Sequence, residues 1–152
     1  MKIVAWEDLS SREKELLTEA KRAATRSKHK RGHKIGCILL TDRGKKFYGA
    51  ANEWTRPVGS TCAERMALDQ YYFHRLDPKV GRPQLIVIIG TFNRHEWSND
   101  LVCTPCGVCL EMMLKMKRDF ALKRLALICS NWSQTRILRA YLAELYPHPR
   151  FR

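Results

Sequence analysis

Apolar residues between Ser10 and Thr25 fall at Leu16, Leu17, Ala20, Ala23 and Ala24. That spacing lays one stripe along a helix. Ser10 and Glu13 form a capping-box pair at its start. Ile35 to Leu40 reads as a strand, Thr41-Asp42-Arg43-Gly44 as a turn, and Lys46 to Ala51 as the returning strand of a hairpin. A loop follows from Asn52 to Thr61, broken by Pro57 and Gly59. Cys62 to Phe73 is a second helix. Leu85-Ile86-Val87-Ile88-Ile89 is a continuous apolar run, the pattern of a central strand buried on both faces. Cys106 to Arg118 is a third helix and Leu125 to Cys129 a fourth strand. Thr135 to Leu145 is a last helix, stopped near Pro147. A hairpin followed by alternating helices and strands predicts an α/β fold: a three-layer α/β/α domain around a mixed sheet, with residues 1–152 as one domain.

Composition narrows the setting. A chain of 152 residues can bury a core without disulfide staples. Six cysteines and an N-terminal apolar run too short for export point to a reducing, cytoplasmic location. No stretch approaches the roughly 18 apolar residues of a membrane span, so no membrane partner is expected. The net charge is +13, and ten of the 28 basic residues lie between Lys21 and Lys46. That segment is a candidate nucleic-acid contact; the plainer reading is a solubilising surface. Arg26 to Lys34 has no interleaved aromatic residue on which bases would stack.

The chemistry sits in Cys62-Ala63-Glu64 and Pro105-Cys106-Gly107-Val108-Cys109. Zinc prefers four tetrahedral ligands, so three cysteinates leave one place for water. A carboxylate beside one of those ligands, as Glu64 is in Cys62-Ala63-Glu64, can move that water's protons. The competing reading is a closed structural site, with Cys103 of Cys103-Thr104-Pro105-Cys106 as fourth ligand. Glu64 and Pro105 favour the catalytic one. Pro105 sets the backbone before a helix start, and a helix N-terminus favours thiolate over thiol. Each ligand-bearing helix also follows a strand or its loop, which can bring their N-termini together near one sheet edge.

With these motifs the chain resembles the cytidine deaminase family, in its small, three-cysteine, typically homotetrameric branch. Cys62-Ala63-Glu64-Arg65 with Pro105-Cys106-Gly107-Val108-Cys109 carries most of the resemblance. Ile35-Gly36-Cys37-Ile38-Leu39 and the tail Leu145-Tyr146-Pro147 with Phe151 extend it. The resemblance implies that Cys62, Cys106 and Cys109 bind Zn2+, that Glu64 shuttles protons, and that Arg65 hydrogen-bonds the zinc cysteinates. It implies a substrate site containing Ala63, with Glu53 on the ribose and Phe151 reaching a neighbouring site in a tetramer. The family's stacking aromatic falls on His33. Its ribose-binding asparagine falls on Ala51, and Asn52 takes that role after a one-residue shift. Leu110-Glu111 replaces a frequent Arg-Gln. The implied activity is zinc-dependent hydrolytic deamination of a cytosine-type nucleoside or analogue, with that small molecule and a homo-oligomer as partners. Two alternatives stay open: deamination of cytosine in single-stranded nucleic acid, and a zinc-stabilised nucleic-acid-binding module without turnover.

The remaining chemistry-bearing residues read as structural. Cys37 and Cys129 are expected as core thiols, and Cys103 beside the metal ligands or in the core. His29, His74, His95 and His148 are expected at the surface. Trp54 and Trp97 either wall the pocket or pack. Val108, Leu110, Met112, Met113, Leu114 and Met116 exceed one stripe, so part of the third helix is expected to face another subunit.

Overall fold

The computed structural model describes residues 1–54, 59–95, 97–98 and 100–146. Strands β1 (Lys2–Val4), β2 (Lys34–Thr41), β3 (Lys46–Ala50), β6 (Pro83–Thr91), β7 (Ala126–Ser130) and β8 (Ile137–Tyr141) form one sheet, in the order β1-β8-β7-β6-β2-β3. Only β6 and β7 pair parallel; the other pairs are antiparallel, so the sheet is mixed. β4 (Asn52–Glu53) and β5 (Ser60–Thr61) make a separate two-residue ribbon, where the sequence predicted only a loop.

Helix α1 (Ser11–Ala24) covers one face of the sheet; α2 (Ala63–His74) and α3 (Gly107–Asp119) cover the other. The split follows strand alternation. Ile38, Leu40, Val87 and Ile89 pack with Leu16, Leu17 and Ala20 of α1. Ile35, Cys37, Leu39, Ile86 and Ile88 pack with Ala67, Leu68, Met113 and Met116. β6 is therefore buried from both sides, as its unbroken apolar run predicted. The expected three-layer α/β/α architecture is present. Ser10 caps α1 as expected: its Oγ accepts the Glu13 N–H, and its own N–H donates to Glu13 Oε2 at 2.8 Å.

One predicted element is wrong. Thr135 to Leu145 is not a helix; Ile137–Tyr141 is a strand, and only Leu142–Leu145 turns as the short α4. Ile137 packs toward α1 and Leu138 toward the opposite layer, which is strand alternation. β8 is held between β7 and β1, and β1 itself is a three-residue strand too short to leave a pattern. Pro147 lies outside the described residues.

Glycine fixes how closely the helices seat. A Cβ at Gly49 would fall 1.8 Å from the Ala63 carbonyl oxygen, and one at Gly36 would fall 2.0 Å from that of Ala20. Both obstacles are backbone, which cannot swing aside. Ala63 lies between Cys62 and Glu64, so the contact at Gly49 also sets the position of the site. Gly49→Ala is expected to destabilise the fold by about 1–3 kcal/mol, the usual range for overpacking. Chemical denaturation of the variant beside wild type checks this.

Candidate metal and active site

Cys62 is the N-cap of α2 and Cys106 the N-cap of α3; both have extended backbone. Their carbonyls accept the first helical hydrogen bonds, from Met66 N–H at 3.1 Å and Leu110 N–H at 3.0 Å. Cys106 thus sits one position before the first turn on which the sequence placed it, and Cys109 lies within that turn. The two helix starts meet, and the sulfurs of Cys62, Cys106 and Cys109 all lie within 4.8 Å of one another. Cys62 and Cys106 Sγ are 4.0 Å apart, and Cys106 and Cys109 Sγ 3.5 Å. Tetrahedral zinc with bonds near 2.3 Å would set its sulfurs about 3.8 Å apart. The cluster has the right size and donors for zinc.

Cys103 is outside this group. It is buried, its N–H donates to the Ser130 carbonyl, and its sulfur packs where a Cβ on Gly90 would stand. Three protein ligands, not four, therefore converge among the described residues. Cys37 and Cys129 are core thiols, as expected. Burial pushes all three of these thiols up, away from thiolate.

The cluster behaves differently. Hydrogen bonding from Cys109, then from Cys106, with the Arg65 charge adding, outweighs burial and brings Cys62 down to about 6. Cys109 moves the opposite way, because it is hydrogen-bonded to Cys62 and buried. Arg65 is half exposed and pairs with Asp69 at 3.7 Å; it acts on Cys62 through its charge, with no hydrogen bond to a cluster sulfur.

Glu64 is 5% exposed. Burial pushes its carboxyl up to about 7, and negative charge on Cys62 adds to the effect. A carboxyl of this kind exchanges protons near neutral pH. Because its folded value is raised, its stabilising contribution is full below its unfolded value near 4.5 and is lost as pH rises through about 7. Metal-free wild type should therefore lose up to about 3 kcal/mol relative to metal-free Glu64→Gln between pH 4.5 and 8. Urea melts in chelator at several pH values read this difference.

Above the cluster lies a cavity of about 190 Å³, lined by Cys62, Ala63, Glu64, Cys106 and Thr104, by Asn52, Ser60 and Thr61, and by His29, His33, Phe92 and Arg94. The structure thus brings Ala63, Asn52 and His33 together with the thiols and Glu64. The Asn52 Oδ1 is buried and has no hydrogen-bond partner among the described residues. Glu53 lies just behind: its Oε2 accepts the Lys30 N–H at 3.0 Å and sits 3.3 Å from His29 Nδ1. Ala51, at the family's asparagine position, is buried and also lines the cavity. Phe151 lies outside the described residues. His148 does too.

Among the cavity residues, the sequence reading missed His29, Phe92 and Arg94. His29 is not a surface histidine; its ring packs against that of His33, tilted by 33°, with centroids 4.2 Å apart. His33 in turn meets Phe92 at 5.1 Å, and Trp97 backs Phe92 at 4.5 Å. Arg94 lies over Phe92 at 5.5 Å. Phe92 and Arg94 follow directly on β6, at the strand end where open α/β sheets place ligands; that position was the available signal. Trp54 is exposed and carries Lys28 over its ring.

The family model for the cytidine and deoxycytidylate deaminase zinc-binding region matches residues 10–122. A search of curated protein sequences finds no match. Among solved structures, the chain is similar to cytidine deaminase from Burkholderia pseudomallei, at 23% identity and TM-score 0.71, over 91% of this chain and 98% of that one. It is also similar to the cytidine deaminase from Bacillus anthracis, at 18% identity and TM-score 0.63, over 91% and 89%. A third similar structure is cytidine deaminase from Mycobacterium tuberculosis, at 18% and 0.62, over 88% and 92%. At these identities the structures establish a shared fold. The family match spans most of the chain and includes all three clustered thiols and Glu64, so this chain belongs to the cytidine and deoxycytidylate deaminase family of zinc-dependent hydrolases.

Proposed function

We propose that the chain hydrolytically deaminates a pyrimidine nucleoside of the cytidine or deoxycytidine type, or a close analogue, to its uridine-like product and ammonia. The observation that carries this is Glu64: a buried carboxyl poised near neutrality, beside a three-cysteine cluster, at the floor of a cavity. A binding module or a structural zinc knot has no use for that acid. Cys62, Cys106 and Cys109 hold zinc, which when bound makes water acidic and nucleophilic enough to react at neutral pH.

The chain's own residues do the rest. Glu64 takes a proton from the attacking water and delivers it to the ring nitrogen beside the amino-bearing carbon. The new carbon–oxygen bond forms as that nitrogen is protonated. Glu64 then passes the second proton to the amine, the carbon–nitrogen bond breaks, and ammonia leaves. One carboxyl serves both transfers because they are sequential. A backbone carbonyl near Thr104 or Pro105 accepts from the substrate amino group. Asn52, whose buried Oδ1 lacks a donor, and Glu53 behind it are the acceptors for sugar hydroxyls. Arg65 offsets the negative charge of three thiolates on a divalent ion, through its field on Cys62.

The proposed assembly is a homotetramer. Met113 and Met116 of α3 are buried within the chain, while Val108 on the same helix and Phe73 and Leu76 at the end of α2 are exposed. Apolar side chains of this size left in water mark a contact surface. No helix among the described residues is long and apolar enough to cross a membrane. All six thiols are free, which suits the reducing cytoplasm.

Ammonia release from cytidine, deoxycytidine, their monophosphates and single-stranded oligonucleotides tests the reading. Turnover of at least one small cytosine compound is expected. Inactivity of the zinc-loaded protein toward all of them would remove it, and activity confined to oligonucleotides would replace the substrate class. Sedimentation of the same preparation tests the tetramer; a fully active monomer would exclude it.

A further inference from the structure

The basic segment that deamination leaves unused acquires a shape in the folded chain. β3 is the outer strand of the sheet, and α1 and α2 both pack against it. Two adjoining hollows lie beside it, of about 360 and 460 Å³. Ala23, Arg26 and Tyr48 wall both; Arg22 stands in the first and Lys28 in the second. Arg22, Arg26 and Lys28 are exposed, and none has a carboxylate at ion-pair distance among the described residues. The one carboxylate in these walls, Glu19, is already engaged: it accepts from Lys46 Nζ and from the Tyr48 hydroxyl, both at 2.8 Å. Arg26 to Lys34 carries no Phe, Trp or Tyr among its charges, but the fold supplies two such rings from elsewhere. Tyr48 comes from β3 and is 41% exposed, with its hydroxyl fixed on Glu19. Trp54 follows β4, is 68% exposed, and has Lys28 Nζ 5.5 Å from its ring centre.

Unpaired cations along a groove attract a phosphate backbone, and a net charge of +13 draws polyanions toward it. Exposed rings among those cations give bases a stacking surface. A duplex hides the faces of its bases, so it would meet the cations alone. An acidic peptide adding as a strand would need the outer edge of β3. There the Tyr48 carbonyl already accepts Gln70 Nε2 at 2.7 Å. We propose that Arg22, Arg26 and Lys28, with Tyr48 and Trp54, form a groove that binds single-stranded nucleic acid without regard to sequence, as a partner and not as a substrate. Neither the thiol cluster nor Glu64 takes part, so the inference stands apart from the deaminase reading.

The test is fluorescence anisotropy of labelled oligouridylate and oligothymidylate, each of about twelve nucleotides, with the zinc-loaded protein across a salt series. Neither oligomer contains cytosine, so nothing turns over. At least one is expected to bind, with log K falling against log salt at a slope of about 2, roughly 0.7 for each of three phosphates met. The tighter of the two identifies the preferred sugar. The double variant Arg22→Gln, Arg26→Gln should weaken binding about tenfold and lower the slope by about 1.4. Trp54→Ala should weaken it about tenfold with the slope unchanged. Both variants should keep wild-type zinc content and melting temperature, which separates lost binding from lost fold. No binding of either oligomer at low salt overturns the groove, as does binding that survives the double variant. A duplex or a polyglutamate of equal charge that binds as tightly also overturns it, because the rings then contribute nothing. Displacement of the oligomer by excess uridine would place it in the catalytic cavity and overturn a separate groove. Failure of the deaminase reading shows elsewhere, as absence of ammonia release from cytosine compounds.

Discussion

Glu64→Gln is expected to lower kcat by about 10²- to 10⁴-fold while leaving fold and zinc content unchanged. Glutamine matches the shape of the side chain but cannot accept and return a proton at neutral pH. The position is buried within the first turn of α2, where a neutral amide is easier to hold than a carboxylate. Metal-free Glu64→Gln should therefore be no less stable than wild type at neutral pH, and turnover alone should suffer. The checks are stopped-time ammonia release, zinc per chain by atomic absorption, and a urea melt. A variant that retains wild-type turnover would show that the proton carrier lies elsewhere. One that loses zinc would show that Glu64 supports the metal instead.

Cys106→Ala is expected to reduce zinc from about one ion per chain to a small residue and to abolish activity with it. The Cys106 sulfur lies 4.0 Å from that of Cys62 and 3.5 Å from that of Cys109. Its loss leaves only Cys62 and Cys109 of the three clustered thiols. Zinc binding also stabilises the fold by mass action, by about 4 kcal/mol at a thousandfold excess over Kd. In wild type this should raise the melting temperature on adding zinc, and the response should disappear in the variant. Cys103→Ala is the control, since that sulfur lies outside the cluster; it should keep zinc and lose only packing. Full zinc occupancy in Cys106→Ala would sink the assignment.

Sequence and structure agree where the signal is local. The Ser10–Glu13 capping box, the α1 stripe, the β2–β3 hairpin and the apolar run of β6 are all patterns within a dozen residues, and each forms the expected element. Ile137 to Tyr141 fails for the same reason. Its apolar residues fit a helical spacing, but neighbours on both sides offer backbone partners, and strand pairing wins.

The site divides along the same line. Cys62, Glu64, Cys106 and Cys109 were legible because helix starts and three-residue spacing are properties of short segments, and the chemistry of three thiols and one acid is written in residue type. That much the sequence determined by itself: an α/β domain, a zinc-sized cluster and an acid beside it. The opposite wall draws on His29, His33, Phe92 and Arg94, and the state of His33 is set by the N–H of Asn93, 60 residues away. No local pattern encodes a hydrogen bond across that separation or tells which ring nitrogen is left as a donor. Only the packing of β2 against β6 brings Lys34 opposite Thr91 and so closes that wall. The tertiary structure therefore decided that His29 faces the cavity, that Cys103 does not join the metal ligands, and that Asn52 presents an unpaired oxygen, because each depends on which distant backbone fills the space beside it.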